Sequence, residues 1–300
     1  MNLKQLETFS LIAELGSLSR VATATGTAQS LVSRQLAQLE SEWGDRLFER
    51  TGRGMVLSEF GRRVRPEVEL LLIQLARLEG TVKDASGVLT GTVHFGVLPS
   101  MSRELLPMLF ADLRALAPLV RLHVTEGFSG DLDEQLGSGR LDMIIVNRYG
   151  AAAGRGEDVL GRADTYLAGK PQAMSALGLG ASVAYRALSG LPLVLPSAPN
   201  GLRTMLDMLE RQRRVGLDIV MEVDTLTAMK DVAMSGHAFT LLPMQAIKEE
   251  VDSGRLAAAR LDKPALRRTV ALSFTRQRPL SRAARLVGTR AREMVSALLA

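Results

Sequence analysis

The sequence predicts a multidomain protein: a winged helix-turn-helix, all-α with a small wing, then a long linker helix, then a two-lobed α/β region. Three patterns predict this order. Apolar residues recur at helical spacing over the first 58 residues, a narrow heptad seam follows, and strands then alternate with helices. We therefore expect domains over 1–58, 59–88 and 89–300, the last divided into lobes of about 91–161 with 268–300 and of 162–267.

Composition narrows the class of protein. The 300 residues hold 46% hydrophobic positions and no cysteine, which is typical of a globular chain and excludes thiolate metal sites. Charges at Lys4, Glu7 and Glu14 interrupt the N-terminus where a secretory signal would be apolar, and no apolar run is long enough to span a membrane. We therefore expect a cytoplasmic protein without a membrane partner.

The net charge of +5 suggests nucleic-acid binding, but its location does not identify the domain responsible. Residues 1–90 hold 11 basic and 11 acidic side chains, residues 91–254 hold 15 and 19, and residues 255–300 hold 11 and 2. A nonspecific architectural DNA-binding protein should have a basic N-terminal domain, so this class is disfavoured. A specific DNA-binding site has to be located from spacing instead.

The first 44 residues predict three short helices joined by tight turns. The second helix begins after a capping candidate, Ser17, and ends near Gly26. Thr27 can cap the third helix, which reaches Gly44. The order of helix, three-residue turn and helix is that of a helix-turn-helix motif.

The third helix has a polar face near its N-terminus. Its buried stripe is expected to consist of Leu31, Val32, Leu36 and Leu39. The residues left facing outward are Gln29, Ser30, Ser33 and Arg34. An amide, short hydroxyls and a guanidinium at a helix N-terminus are suited to reading base edges in the major groove, and a solvated face of a helical bundle is the alternative.

The segment RLFERTGRGMVLSEFG predicts a β-hairpin wing. Leu47 and Phe48 should anchor it, and Arg50 and Arg53 flank its glycine-containing turn. In a wing, these two arginines would lie beside the sugar-phosphate backbone of DNA. A plain surface hairpin is the alternative.

A long helix is expected from Ser58 to about Asp84. Its apolar residues are spaced 4, 3, 4, 3 and 4 apart, at Val64, Val68, Leu71, Leu75, Leu78 and Val82. A seam this narrow predicts pairing with a second copy of the helix, and packing on its own domain is the alternative. Pro66 is expected to kink or loosen the first turns.

The remaining chain predicts two similar α/β lobes with a cleft between them, and the first series of elements, over about 91–146, is expected to be βαβα with parallel strands. Strands are expected at 91–99, 120–127, 141–146, 191–196, 217–224, 238–243 and 269–274, and helices from Ser102 to about Ala117, near Leu132–Leu136, and from Leu202, Leu226 and Ser281.

The junctions between strands and helices should meet at this cleft, because ligands of open α/β sheets bind beyond the carboxyl ends of the strands. Each junction also offers a helix N-terminus, which favours a small organic anion. The candidate binding residues are Ser100, Met101, Ser102, Phe128, Ser129, Gly130, Asn147, Asn200, Thr225 and Leu226. Arg203 is a further candidate as a carboxylate partner, and helix caps without a ligand role are the alternative for all of them.

Catalysis and metal binding have little support in the sequence. His94, His123 and His237 are scattered and are interpreted as structural rather than as metal ligands. No nucleophile, phosphate-binding or metalloprotease motif occurs in a fitting context. We therefore expect no cofactor and no enzyme activity, against the alternative of an enzyme or solute-binding protein fused to a helical domain.

The chain resembles the LysR-type transcriptional regulators over essentially its whole length. The segments that carry the resemblance are LKQLETFSLIAELGSLSRVA, AQSLVSRQLAQLE and RLFERTGRGMVLSEFG. The resemblance implies a periplasmic-binding-protein-like effector domain that binds a small molecule between its lobes. It also implies contacts to double-stranded DNA from Gln29, Ser30, Ser33, Arg34, Arg50 and Arg53.

The same resemblance implies a homodimer through the linker helix, usually assembled further into a homotetramer. A dimer places two recognition helices one or more DNA turns apart, so the expected operator is an interrupted inverted repeat. RNA polymerase is a further expected partner, because the bound regulator would alter the access of the polymerase to the DNA.

Overall fold

The computed structural model describes residues 1–52, 54–84, 89–150, 154, 156–178 and 180–299. The chain divides into two compact units, Met1–Ala85 and Ser86–Ala300. Within the described ranges, no helix has both the length and the apolar character needed to cross a membrane.

The N-terminal unit has the predicted winged helix-turn-helix fold. Its elements are α1 (Leu3–Leu15), α2 (Leu18–Thr25), α3 (Gln29–Trp43), β1 (Phe48–Thr51), β2 (Gly54–Leu57) and α4 (Glu59–Asp84). Ser17 caps α2, and Gly26 and Gly44 end α2 and α3 in left-handed conformations. Thr27, however, does not cap α3. The helix starts later, after Ala28, because the Thr27 N–H is bound to Ala22 O and its hydroxyl contacts Thr25.

Three aromatic rings hold α1, α3 and the wing together. Phe9 is 1% exposed, and its ring centroid lies 5.4 Å from that of Phe48 and 6.5 Å from that of Trp43. Leu39 and Leu47 are fully buried in the same core. The position of the wing beside α3 is therefore set by side-chain packing.

The helix α4 is continuous through Pro66 and uses its apolar seam in two ways. Val64, Val68 and Leu72 pack against the core of the N-terminal unit, which corresponds to the alternative interpretation of the seam. Leu71 and Leu78, one heptad apart, are 47% and 60% exposed. The packing within the unit therefore accounts for the start of the seam and leaves its continuation uncovered.

The C-terminal unit is a mixed α/β structure with two lobes. Its elements are β3 (Gly91–Val97), α5 (Pro99–Leu116), β4 (Val120–Glu126), α6 (Ser129–Gly137), β5 (Met143–Tyr149), β6 (Asp158–Gly169), α7 (Pro171–Ala176), β7 (Ser182–Ala184), a 3-10 turn (Tyr185–Leu188), β8 (Pro192–Leu195), α8 (Gly201–Arg213), β9 (Asp218–Glu222), α9 (Leu226–Ser235), β10 (Phe239–Pro243), α10 (Met244–Asp252), β11 (Ala257–Asp262), β12 (Arg267–Phe274) and α11 (Arg282–Leu299).

One long strand, β6, belongs to both lobes. Its first half pairs with β12 in a sheet of order β4-β3-β5-β12-β6, and its second half pairs with β10 and β11 in the other sheet. Strands β3, β4 and β5 are parallel, but β12 runs antiparallel to β5 and β6, and β10 runs antiparallel to β6. The parallel arrangement expected for the strands at 91–146 is confirmed, and the antiparallel pairs arise where the chain crosses between the lobes.

Several elements differ from the sequence-based expectation. Helix α5 begins at Pro99 rather than Ser102, because proline is well suited to the first position of a helix. The long strand β6 and the short elements α7, β7, α10 and β11 are not among the elements predicted from the sequence. His94 and His123 are not scattered: they are opposite each other on β3 and β4, with ring centroids 5.0 Å apart.

A partly buried ion network joins three elements of the first lobe. Arg148 of β5 pairs with Asp133 of α6 at 2.6 Å and with Glu157. Glu157 also accepts hydrogen bonds from the Ser273 hydroxyl of β12 at 2.8 Å and from the Gly154 N–H at 2.7 Å. Burial opposes ionisation, but these donors lower the pKa of Glu157 from 4.5 to about 2.

Acid is expected to weaken this lobe through Glu157. A carboxyl whose pKa is lower in the folded than in the unfolded state stabilises the fold fully above pH 4.5, and this contribution is lost as the pH falls towards 2. Glu157→Gln should reduce the free energy of unfolding by roughly 2–3 kcal/mol at pH 6 and by about half as much at pH 3, as measured by urea denaturation.

Glu134→Gln serves as the control, because the Glu134 side chain is 79% exposed. It should change the free energy of unfolding little at either pH. Equal pH dependence in both variants would contradict the assignment to Glu157.

Candidate functional site

The polar face of α3 lies on the surface of the N-terminal unit. Gln29, Ser30 and Arg34 are exposed, and Ser33 is half-buried. This orientation follows from the burial of Val32, Leu36 and Leu39 on the opposite side; Leu31, expected in the same stripe, is only half-buried. Within the described residues no side chain caps α3, so its amino end keeps N–H groups that favour phosphate.

The wing and α3 border one shallow groove. Its volume is about 640 Å³, and Ser33 of α3 and Arg50 of β1 both line it. Arg50 is exposed on its strand, where it pairs in register with Met55. Arg53, the second predicted wing arginine, lies outside the described residues.

A cavity of about 70 Å³ lies between the two lobes of the C-terminal unit, and we call it the interlobe cavity. Six of the predicted binding residues line it: Ser100, Phe128, Ser129, Asn147, Asn200 and Leu226. Both lobes contribute, because these residues come from α5, α6 and β5 on one side and from α8 and α9 on the other.

Four predicted binding residues do not line the interlobe cavity. Met101 is 2% exposed in the core of the first lobe, because the early start of α5 turns it inward. Ser102 donates a hydrogen bond to Glu126 at 2.5 Å, and with Thr225 it lines a neighbouring open groove. Gly130 is not among the lining residues either.

The amino ends of five helices, α5, α6, α8, α9 and α10, meet at the interlobe cavity. Of these five helices only α8 has a side-chain cap, in which Asn200 Oδ1 accepts from the Leu202 N–H at 2.9 Å. Uncapped N–H groups and helix dipoles make this end of each helix electropositive. The residues that these helix ends and their caps contribute are Pro99, Ser100, Phe128, Ser129, Asn200, Gly201, Leu202, Leu226 and Pro243.

A buried arginine completes the cavity. Arg268 of β12 is 3% exposed and lies opposite Tyr149 of β5 in the strand pair. Burial lowers the pKa of Arg268 and raises the pKa of Tyr149, and the contact between them opposes both shifts. Nε and Nη2 of Arg268 have no hydrogen-bond partner within the described residues.

Arg268 is not among the residues predicted from the sequence, which instead named Arg203 as the candidate carboxylate partner. In the structure Arg203 donates to Asp207 at 2.8 Å and also pairs with Glu222, so its charge is already neutralised. A signal for Arg268 was present: it is two residues before the buried Val270 and so falls on the inward face of β12. The predicted strand begins at residue 269 and therefore excludes Arg268 by one position.

The chemistry of the interlobe cavity is that of a binding site. Leu98, Leu226 and Met229 give the cavity apolar walls, and Arg268 gives it a positive charge. Apolar walls strengthen the attraction between the guanidinium and a negative group. The few polar atoms of the lining can orient that group.

Two family descriptions match the chain along its length. Residues 3–62 match "Bacterial regulatory helix-turn-helix protein, lysR family", and residues 86–296 match "LysR substrate binding domain". Among curated proteins, the chain is 27% identical over 288 residues to the nitrogen assimilation regulatory protein nac of Klebsiella aerogenes, with 96% of this chain and 93% of that protein covered. It is 28% identical to the HTH-type transcriptional regulator BbuR of Bordetella bronchiseptica, covering 94% and 86%.

Solved structures have the same fold. The LysR family transcriptional regulator CbnR matches with a TM-score of 0.71 at 18% identity, covering all of both chains. Full-length CbnR complexed with its target DNA matches with the same TM-score over 98% of this chain. With the two family matches spanning nearly all of its sequence, this chain belongs to the LysR-type family of DNA-binding transcriptional regulators, with an N-terminal helix-turn-helix domain and a C-terminal effector-binding domain.

Proposed function

We propose that this regulator reads a specific DNA sequence with the polar face of α3 and holds the flanking backbone with its wing. Gln29, Ser30, Ser33 and Arg34 contact base edges, and Arg50 and Arg53 contact phosphates. The observation that supports this proposal most directly is the groove shared by Ser33 and Arg50, because it allows helix and wing to engage one DNA segment.

Arg34→Ala tests the reading role of α3. The exposed guanidinium has one intramolecular hydrogen bond among the described residues, from Nε to Ser30 O at 3.4 Å, so it is available to a base. Its loss should weaken binding to the operator by about 1–3 kcal/mol and leave binding to random DNA much less affected, as measured by fluorescence anisotropy. An equal loss on both DNAs would instead make Arg34 a phosphate contact.

We further propose that α4 pairs with α4 of a second copy, and that such dimers assemble into a homotetramer. The exposed Leu71 and Leu78 support a helix-to-helix contact. The dimer would bind an interrupted inverted repeat in the cytoplasm, and changes in the geometry of the bound DNA would alter the access of RNA polymerase.

The interlobe cavity is proposed to hold a small organic anion as effector. Arg268 and the uncapped helix ends support a negative guest. Binding would change the relative position of the lobes and, through the assembly, DNA binding. The protein would act without a cofactor and without catalysis: among the described lining residues there is no carboxylate, imidazole or thiol that could serve as a base or nucleophile.

A further inference from the structure

Two side chains of the interlobe cavity carry buried polar atoms without partners in the described chain. Arg268 has two free donors, Nε and Nη2, and Asn147 has a free acceptor, Oδ1. Buried polar groups are normally paired, since leaving one unpaired destabilises the fold. Both residues line the same cavity, so one guest can satisfy both.

The free donors of Arg268 define the charged end of the guest. Nε and Nη2 lie on one edge of the planar guanidinium, with their N–H bonds parallel, and this edge matches the two oxygens of a carboxylate. Arg268 is the only charged side chain among the described lining residues. A single carboxylate therefore neutralises the one formal charge of this lining.

The free acceptor of Asn147 calls for a donor close to that carboxylate. In the antiparallel pair of β5 and β12, Arg268 is opposite Tyr149 and Val270 is opposite Asn147. Asn147 and Arg268 are thus diagonal neighbours on one face of the sheet, at backbone positions about 7–8 Å apart. An ammonium group would add a buried positive charge, and the described lining has no acidic side chain to pair with it. A neutral hydroxyl is therefore the better donor to Asn147 Oδ1.

The volume limits the body of the guest. About 70 Å³ exceeds the roughly 10–15 Å³ that one water molecule needs, but is about half of the roughly 150 Å³ cavity that holds benzene. The volume therefore favours a short aliphatic body over an aromatic ring.

We infer that the interlobe cavity binds a short aliphatic hydroxycarboxylate, with its carboxylate on Arg268 and its hydroxyl on Asn147. This inference rests on the proposed role of the cavity as effector site and specifies its ligand class.

Titration calorimetry on the full-length protein tests the inference with four matched probes. 2-Hydroxypropionate should bind. Propionate, which lacks the hydroxyl, should bind roughly tenfold more weakly. 2-Hydroxypropionamide, which lacks the charge, and alanine, which adds an ammonium, should each lose more than about tenfold.

Three variants assign the contacts. Arg268→Lys keeps the charge but removes the two-donor edge, so it should weaken both acids by at least about tenfold. Asn147→Leu should abolish the preference for 2-hydroxypropionate over propionate. Thr225→Val lies outside the cavity and should bind as the parent does. DNA binding by each variant serves as the check that it is folded.

The outcomes separate this inference from the proposed effector function. No binding of either acid, equal affinity for 2-hydroxypropionate and propionate, or loss of binding in Thr225→Val alone would overturn the hydroxycarboxylate site. If another small molecule then changes DNA binding, and Arg268→Lys abolishes that response, the proposed function stands without this ligand class. If responses to effectors persist unchanged in Arg268→Lys, the interlobe cavity is not the effector site.

Discussion

Replacing both Leu71 and Leu78 with glutamate is expected to convert the proposed α4-paired dimer into monomers and to weaken operator binding by roughly 10²–10⁴-fold. The two leucines are 47% and 60% exposed on one side of α4. Burial of each against a partner helix would contribute about 1.5–3 kcal/mol, and four buried carboxylates at the seam of a dimer would repel one another. In a monomer, the two copies of α3 are no longer linked, so each half of the operator is bound separately and more weakly.

Analytical ultracentrifugation and anisotropy on the same samples measure this effect. Ala76→Glu is the matched control, because Ala76 is exposed on the opposite face of α4. It should leave both assembly and DNA affinity nearly unchanged. A double variant that stays dimeric would show that α4 is not the dimer contact.

Replacing Arg268 with methionine is expected to stabilise the ligand-free protein while abolishing the response to an anionic effector. A charge that is 97% buried and has two unpaired donors destabilises the fold, and an apolar side chain of similar length removes that penalty. The gain should be roughly 1–4 kcal/mol in the free energy of unfolding of the C-terminal unit, measured by urea denaturation without added ligand.

The neighbouring arginine provides the control. Arg267 is exposed and pairs with Asp164 at 2.8 Å. Because solvent-exposed ion pairs contribute little to stability, Arg267→Met should be nearly neutral. A loss of stability in Arg268→Met would mean that the guanidinium stabilises the fold and is not kept unpaired for ligand binding.

The basic C-terminal segment illustrates how composition can mislead about function. Residues 255–300 hold 11 basic and 2 acidic side chains, whereas residues 91–254 hold 15 and 19. In the folded unit many of these arginines pair with acids from the earlier segment: Arg278 with Asp142, Arg290 with Asp112, and Arg292 with Asp158. Much of the charge excess is therefore used within the effector domain, which sequence counts alone cannot reveal.

Local patterns were enough to predict the N-terminal unit. Helical spacing, the cap at Ser17 and the glycine stops at Gly26 and Gly44 depend on residues close in sequence, and the structure confirms them. The seam of α4 was only partly informative, because periodicity does not tell whether Val68 packs on its own domain or on a partner. Burial of Val68 and exposure of Leu71 distinguish the two cases.

The sequence by itself determined the family and the order of domains, and six of its ten predicted binding residues line the interlobe cavity. It could do so because strand-to-helix junctions are local features that the topology gathers at one edge of the sheets. Only the tertiary structure decided which charge reaches the cavity. Arg203 and Arg268 have the same chemistry, but Asp207 and Glu222 neutralise the first, while the pairing of β12 with β5 buries the second beside Tyr149. Partners this distant in sequence set the charge and polarity of the site, and they meet only when the chain has folded.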